Sequence, residues 1–337
     1  VKSIRKTSNS HRRMVLKQLG AAALSPLLSS GLVRHAMAED IQPIRFGLQN
    51  TFTGASAVVW AREKLYQRRK LSVETYKFAD GRGVRDAMLA GKVDIGTMNL
   101  TPFLVGASAG NFILIGFVLL GGDTVGLFGA NGIDGVAGLK GKNVSITVGS
   151  TTGGIFTDNA APKFGLKKGD YRIVNLEPQL QVAALAAGSI SAFAGPEPYL
   201  TLAAEQKLGK VLLRFGDYDP NPTCLVVNAS FLTEHPDTVV AFLRSWLDGV
   251  KYWREHRDGA VDALYSMYRE DGYNDLTREM VANICKFPRV EPDITTALAT
   301  YIKGQAEYLH NQNKVPLIKD WDKVLRPDLL AKARTLS

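Results

Sequence analysis

A chain of 337 residues, 45% of them apolar and 22% charged, has an ordinary globular composition and the length for two lobes with separate cores. Its formal charge of +9 is unevenly placed: Lys2, Arg5, Lys6, Arg12, Arg13, Lys17 and Arg34 fall within the first 38 residues, which hold no acid. Setting those seven cations aside leaves 34 Lys and Arg against 32 Asp and Glu, so the remainder is nearly neutral and carries no electrostatic footprint for a nucleic-acid partner.

Residues 1–38 read as an export signal. A basic start is followed by a moderately apolar stretch at 19–33 and by Ala36-Met-Ala38, an A-x-A cleavage pattern. The core His11-Arg-Arg-Met-Val-Leu-Lys17 resembles a twin-arginine signal, which predicts a periplasmic location by that route. Pro26 and the serines at 25, 29 and 30 interrupt the apolar run, which is too short and broken for a stable membrane span.

From residue 44 the chain alternates strands and helices. A strand at 44–48 leads through the polar loop Gln49-Asn-Thr-Phe-Thr-Gly54 into a helix with Val58, Val59, Ala61, Leu65 and Tyr66 in register. Asn50 and Thr53 in that loop are candidates for a polar ligand, because a loop opening a helix presents free N–H groups. A second strand at 71–78 exits through Asp80-Gly-Arg-Gly83, where Arg82 and Arg85 are within possible reach of a cleft. A helix at 84–90 and a short strand then exit through Thr97-Met-Asn-Leu-Thr-Pro102, making Asn99 and Thr101 candidates. The run at 113–119 is continuously apolar and reads as a strand buried on both faces.

A strand at 124–130 carries the chain into a second lobe. After a strand at 143–148 comes Gly149-Ser-Thr-Thr-Gly-Gly154, three consecutive hydroxyls at a helix start. Unsatisfied N–H groups and the positive dipole end make such a start attractive to a small oxyanion, so Ser150, Thr151, Thr152 and Gly153 are candidates. The stretch lacks the Gly-Lys-Ser/Thr ending of a nucleotide phosphate loop. A strand at 171–176, a helix running into Gly188 and a strand at 190–194 follow. The exit Gly195-Pro-Glu-Pro-Tyr199 should end that strand, since two prolines remove ladder donors, and it offers Glu197 and Tyr199, with Glu197 serving either a ligand or the neighbouring backbone amides as a cap.

One phrase recurs. Ala87-Met-Leu-Ala-Gly-Lys-Val-Asp-Ile-Gly96 aligns with Ala184-Leu-Ala-Ala-Gly-Ser-Ile-Ser-Ala-Phe193, which suggests two lobes of similar build whose exit loops share a cleft. Strands at 210–215 and 223–228 bring the chain back, so that two crossings form a hinge. The remainder is helical, with Val239, Phe242, Leu243, Trp246, Val250 and Trp253 forming one core-facing stripe. Cys224 and Cys285 are expected to be buried free thiols, and there is no CxxC, no HExxH and no catalytic triad, so neither metal nor cofactor is expected.

Taken together, the strand at 44–48 with its loop, Ala90-Gly-Lys-Val-Asp-Ile-Gly96, Leu139-Lys-Gly-Lys-Asn-Val144, Gly149-Ser-Thr-Thr152, Ala187-Gly-Ser-Ile-Ser-Ala192 and Asn228-Ala-Ser-Phe-Leu232 resemble ABC-transporter solute-binding proteins of the nitrate/sulfonate/taurine type, which share a fold with thiamine-pyrimidine synthases. The resemblance covers most of 44–260. It implies an α/β, two-lobed periplasmic binding protein of type II, each lobe a mixed sheet flanked by helices, with lobe 1 at 41–127 plus 224–337 and lobe 2 at 128–223. It further implies a monomer that binds a small anion without chemistry, an aliphatic sulfonate or taurine before nitrate or bicarbonate, and delivers it to a membrane permease. Two departures bear on the ligand: the family's Trp-Asp-Pro-Tyr loop is Gly195-Pro-Glu-Pro-Tyr199 here, and Lys64-Leu-Tyr66 lacks the family's glycine. The alternatives are an enzyme related to the pyrimidine synthases, for which the cysteine-rich iron motif and donor histidine are missing, and a ligand-binding partner of a membrane sensor.

Overall fold

The computed structural model describes residues 43–336; the export signal expected at 1–38 lies outside them. Among the described residues, ten strands are distributed over two five-stranded sheets. They are β1 (Ile44–Gln49), β2 (Val73–Phe78), β3 (Ile95–Asn99), β4 (Phe112–Leu120), β5 (Val125–Ala130), β6 (Asn143–Ile146), β7 (Arg172–Asn175), β8 (Ala192–Pro196), β9 (Gly209–Arg214) and β10 (Pro222–Asn228). The first sheet runs β2-β1-β3-β10-β4 and the second β7-β6-β8-β5-β9. In each, four strands run the same way and the fourth in order runs against them, β10 between β3 and β4 and β5 between β8 and β9. β3 and β8, the strands that follow the repeated phrase, therefore occupy the same slot in their sheets.

β8 begins two residues later than the expected 190–194 and continues through Pro196. The reason lies in which side the missing donor faces. Glu197 N–H donates to the Thr124 carbonyl on the β5 side at 2.8 Å. By the two-residue alternation of a strand, Pro196 N faces the β6 side, where pairing has already ended at Phe193.

The first core is built on aromatic side chains. Trp60 lies 5.0 Å from Phe242 and 5.2 Å from Phe46 between ring centres, and its indole N–H donates to Ser245 Oγ at 2.9 Å. Helix Pro236–Glu255 brings Val239, Phe242, Leu243, Trp246, Val250 and Trp253 into this core, as the apolar stripe predicts. Gly249 admits Trp60, since a Cβ there would meet the indole at 2.7 Å. β4 is buried along nearly its whole length. Cys224 and Cys285 are both free and buried, and burial pushes both thiols up, Cys285 to about 12.

The chain passes between the sheets at 121–124 and again at 215–221. The crossings are tied side by side: Gly121 N–H donates to the Asn221 carbonyl and Gly122 N–H to Pro220, each at 3.1 Å. Asn221 sits in the left-handed region at φ 43°, where a short polar side chain is tolerated. A pair of connected crossings of this kind is the structural form of a hinge.

Candidate ligand-binding site

The carboxyl ends of β1, β2 and β3 face those of β6, β7 and β8, and the loops leaving them enclose a cavity of about 40 Å³. This is where an open α/β sheet places its ligands. The first lobe contributes Gln49, Thr51, Thr53, Asp80, Arg82 and Asn99; the second contributes Thr147, Ser150, Thr151 and Thr152. The volume corresponds to one or two waters, so a three-oxygen anion enters only when the lobes part.

Each wall follows from local sequence. Ser150 caps the helix that begins at Thr151: its Oγ accepts from Gly153 N at 3.1 Å and donates to the Thr147 carbonyl at 2.7 Å. Thr151 and Thr152 open that helix, so their N–H groups have no intrahelical acceptor, and both residues line the cavity. A Cβ on Gly153 would meet the Thr147 carbonyl at 2.8 Å, so the tight turn requires glycine. Opposite, the Thr51 and Thr53 hydroxyls pair at 2.7 Å. Gln49, at the end of β1, is 1% exposed, and its Nε2 has no hydrogen-bond partner. Gly81 makes room for it, since a Cβ there would come within 3.0 Å of Gln49 Oε1.

Arg82 closes the rim. Its guanidinium binds Asp80 at 2.6 and 2.8 Å within its own lobe, then reaches across to both Glu177 oxygens at 2.7 Å and to the Val148 carbonyl at 3.1 Å. Burial works against its charge, but the bonds it donates to Glu177 and Asp80 outweigh it and hold the pKa above the usual arginine value. Three further contacts join the lobes: Thr101 N–H to Thr151 Oγ1 at 3.0 Å, Phe52 N–H to the Glu197 carbonyl at 3.3 Å, and Tyr199 OH to Tyr273 OH at 2.7 Å.

Of the residues expected from sequence, Thr53, Asn99, Ser150, Thr151 and Thr152 share the cavity. Asn99 is held by Asn221 Oδ1 at 3.0 Å, which links the cavity to the hinge. Thr101 and Gly153 lie behind the Ser150–Thr151 wall and line a neighbouring chamber instead. Asn50 lies outside the cavity lining, its N–H bound to the Phe78 carbonyl at 3.0 Å. Glu197 is fully buried, accepting from Arg214 at 2.8 Å and from Thr201 N at 3.0 Å. Tyr199 is turned to Tyr273 on another face, where burial and that neighbour push its phenol far above the ordinary range. Sequence reasoning passed over Gln49, Thr51 and Thr147 and left Arg82 aside. Gln49 and Thr147 stand at or just beyond the carboxyl ends of strands, a position that could have flagged them.

Two lobes of matching topology, hinged by two crossings and closing on a polar cavity at their strand ends, form the architecture of the periplasmic binding proteins. In fold the chain is similar to the alkanesulfonate-binding protein SsuA from Xanthomonas axonopodis pv. citri bound to MOPS, with a TM-score of 0.71 at 19% identity, covering 86% of this chain and 97% of that one. The model of the NMT1-like family matches residues 38–265, and the chain belongs to that family. It is 31% identical over 278 residues to a Bacillus subtilis (strain 168) protein named "Putative aliphatic sulfonates-binding protein", covering 80% of each chain. It is 28% identical over 260 residues to the taurine-binding periplasmic protein of Escherichia coli K12, covering 73% of this chain and 80% of that one.

Proposed function

We propose that this protein is the periplasmic solute-binding component of an ABC transporter and that it captures a small organic anion, an aliphatic sulfonate in the first place, without chemistry. One observation carries the reading: the unpartnered Gln49 amide donor, nine-tenths buried or more and lining a cavity rich in serine and threonine. A buried donor left without an acceptor costs about 1–3 kcal/mol, and a ligand oxygen relieves that cost. The Arg82 charge at the rim is balanced by Asp80 and Glu177, so neutral donors hold the anion, and closure of the lobes excludes water. The names of the relatives, sulfonate- and taurine-binding, support the ligand class. Delivery to an inner-membrane permease, a monomeric state and export by the twin-arginine route belong to the same proposal.

Calorimetric titration of the folded protein with methanesulfonate, taurine, nitrate and bicarbonate tests it. Heat is expected with the sulfonates, and Gln49→Glu, which sets a carboxylate against the anion, should lower affinity at least about a hundredfold. Absence of heat with all four anions refutes the assignment.

A further inference from the structure

Asn99 stands at the N-cap position of helix Leu100–Ser108, yet its side chain accepts no bond from that helix. Asparagine is among the best caps, so a local bond has been given up for something else. Its Nδ2 donates instead to Asn221 Oδ1 at 3.0 Å and lies 3.5 Å from Thr223 Oγ1. Asn221 is fully buried in the second crossing and is bound in three directions. Its side chain holds Asn99, its carbonyl accepts from Gly121 N–H of the first crossing at 3.1 Å, and its own N–H donates to Asp219 Oδ1 at 2.7 Å.

Asp219 is 4% exposed, and its second oxygen joins the two lobes. Oδ2 accepts from Tyr301 OH at 2.6 Å and from Asn159 Nδ2 at 3.2 Å. Tyr301 belongs to helix Thr296–Asn311 of the first lobe, which was expected only to buttress that lobe. Asn159 belongs to Ile155–Ala160 of the second lobe, a π-helical turn of a kind that recurs at functional sites. Beside it, Asp158 lies 3.4 Å from Lys168 of its own lobe and 3.7 Å from Lys314 of the first. Rotation of the lobes about the crossings parts Tyr301 from Asn159, and one oxygen cannot follow both. Opening therefore breaks a bond to a buried carboxylate, and closing remakes it.

A continuous set of bonds thus runs from the cavity wall through Asn99, Asn221 and Asp219 to a clasp between the lobes. We infer that Asn221 is the positioning residue that couples an occupant of the cavity to closure at the hinge. The inference rests on the anion-binding reading above. An anion that steadies Asn99 steadies Asn221, and Asn221 holds Asp219 where Tyr301 and Asn159 both reach it. The rim pair of Arg82 and Glu177 shares no residue with this set, so it is a separate fastening against which the coupling is measured.

Two substitutions cut the set at different bonds. Asn221→Gly keeps the left-handed backbone and the N–H on Asp219 while removing the link to Asn99. Tyr301→Phe removes the first lobe's arm of the clasp and keeps the ring. Stopped-flow with methanesulfonate gives association and release rates for the wild type, both variants and the double variant, and thermal melts establish folding. Release should quicken about three- to tenfold in Asn221→Gly, which loses a neutral bond, and about tenfold in Tyr301→Phe, which loses one to a carboxylate, with association within about threefold of wild type. The double variant should release no faster than the faster single one, because both cut one series, whereas either combined with Glu177→Gln should show the product of the two effects. A merely structural role for Asn221 would lower the melting temperature and leave the release rate unmoved. Wild-type release in Asn221→Gly, or effects of Asn221→Gly and Tyr301→Phe that multiply, overturns the coupling and leaves the anion site standing. If Asn221→Gly does not fold, wild-type release in Tyr301→Phe overturns the clasp and the coupling with it. No heat with any sulfonate in calorimetry of the wild type overturns both readings.

Discussion

Glu197→Ala separates a structural carboxylate from a ligand-binding one. Its side chain has no exposure; one oxygen accepts from Arg214 Nη2 at 2.8 Å and the other from Thr201 N at 3.0 Å in the first turn of helix Tyr199–Glu205. The alanine removes a bond between two ionised groups, worth about 1.5–3 kcal/mol, and a helix-start acceptor worth about 1 kcal/mol. Arg214 keeps other support, since it donates to the Asp123 carbonyl at 2.6 Å, stacks over Phe287 at 4.0 Å and is 27% exposed, so the loss falls toward the lower end. A destabilisation of about 2–3 kcal/mol lowers the melting temperature by roughly 3–5 °C for a chain of this size. Differential scanning calorimetry reads that shift, and titration calorimetry with a sulfonate reads affinity on the same samples. Affinity should stay within about threefold, because Glu197 lies outside the cavity lining. A tenfold loss of affinity at an unchanged melting temperature would refute the argument and return Glu197 to the ligand.

Glu177→Gln removes the charge on which Arg82 fastens across the cleft while leaving Arg82 on Asp80. With both partners part-exposed, we expect ligand release in stopped-flow to quicken by only about three- to tenfold; an unchanged release rate would mean the rim pair does not hold the lobes. Burial raises the phenol pKa of Tyr199, Tyr268 and Tyr301. The folded state then holds these protons more tightly than the unfolded chain, so stability is flat below the unfolded value near 10 and falls as pH rises above it, by about 1.4 kcal/mol per unit for each phenol. Urea unfolding between pH 9 and 11.5 should show that slope, and Tyr199→Phe should reduce it; identical slopes in the two proteins would contradict the burial assignment.

Much of the fold was legible because its strands are short apolar runs set between helices of clear 3.6-residue period, as at β1, β4 and helix Pro236–Glu255. The Ser150–Thr152 turn was legible for a local reason, since hydroxyls before a helix start announce a cap. Gln49 was not, because a glutamine at a strand end reads as surface until Gly81 is seen packed against it. Glu197 was open between the ligand and a backbone cap; it caps Thr201 N–H, and its ion pair with Arg214 on β9, two strands away across the sheet from β8, is a pairing that no spacing in the sequence reveals. The rim pair of Arg82 and Glu177 depends on how one lobe is set against the other, and that is a property of the folded molecule alone.

β3 and β4 never touch as neighbours, for β10 lies between them and is hydrogen-bonded to both. A ribosome therefore delivers four strands of the first sheet with the slot between β3 and β4 vacant, and must synthesise everything through Asn228 before that slot can be filled. The stretch from Val125 to Arg214 carries all five strands of its own sheet and can condense as soon as it emerges. The half made first is thus finished last, and until then the inner edges of β3 and β4 are unpaired and open to association with other nascent chains.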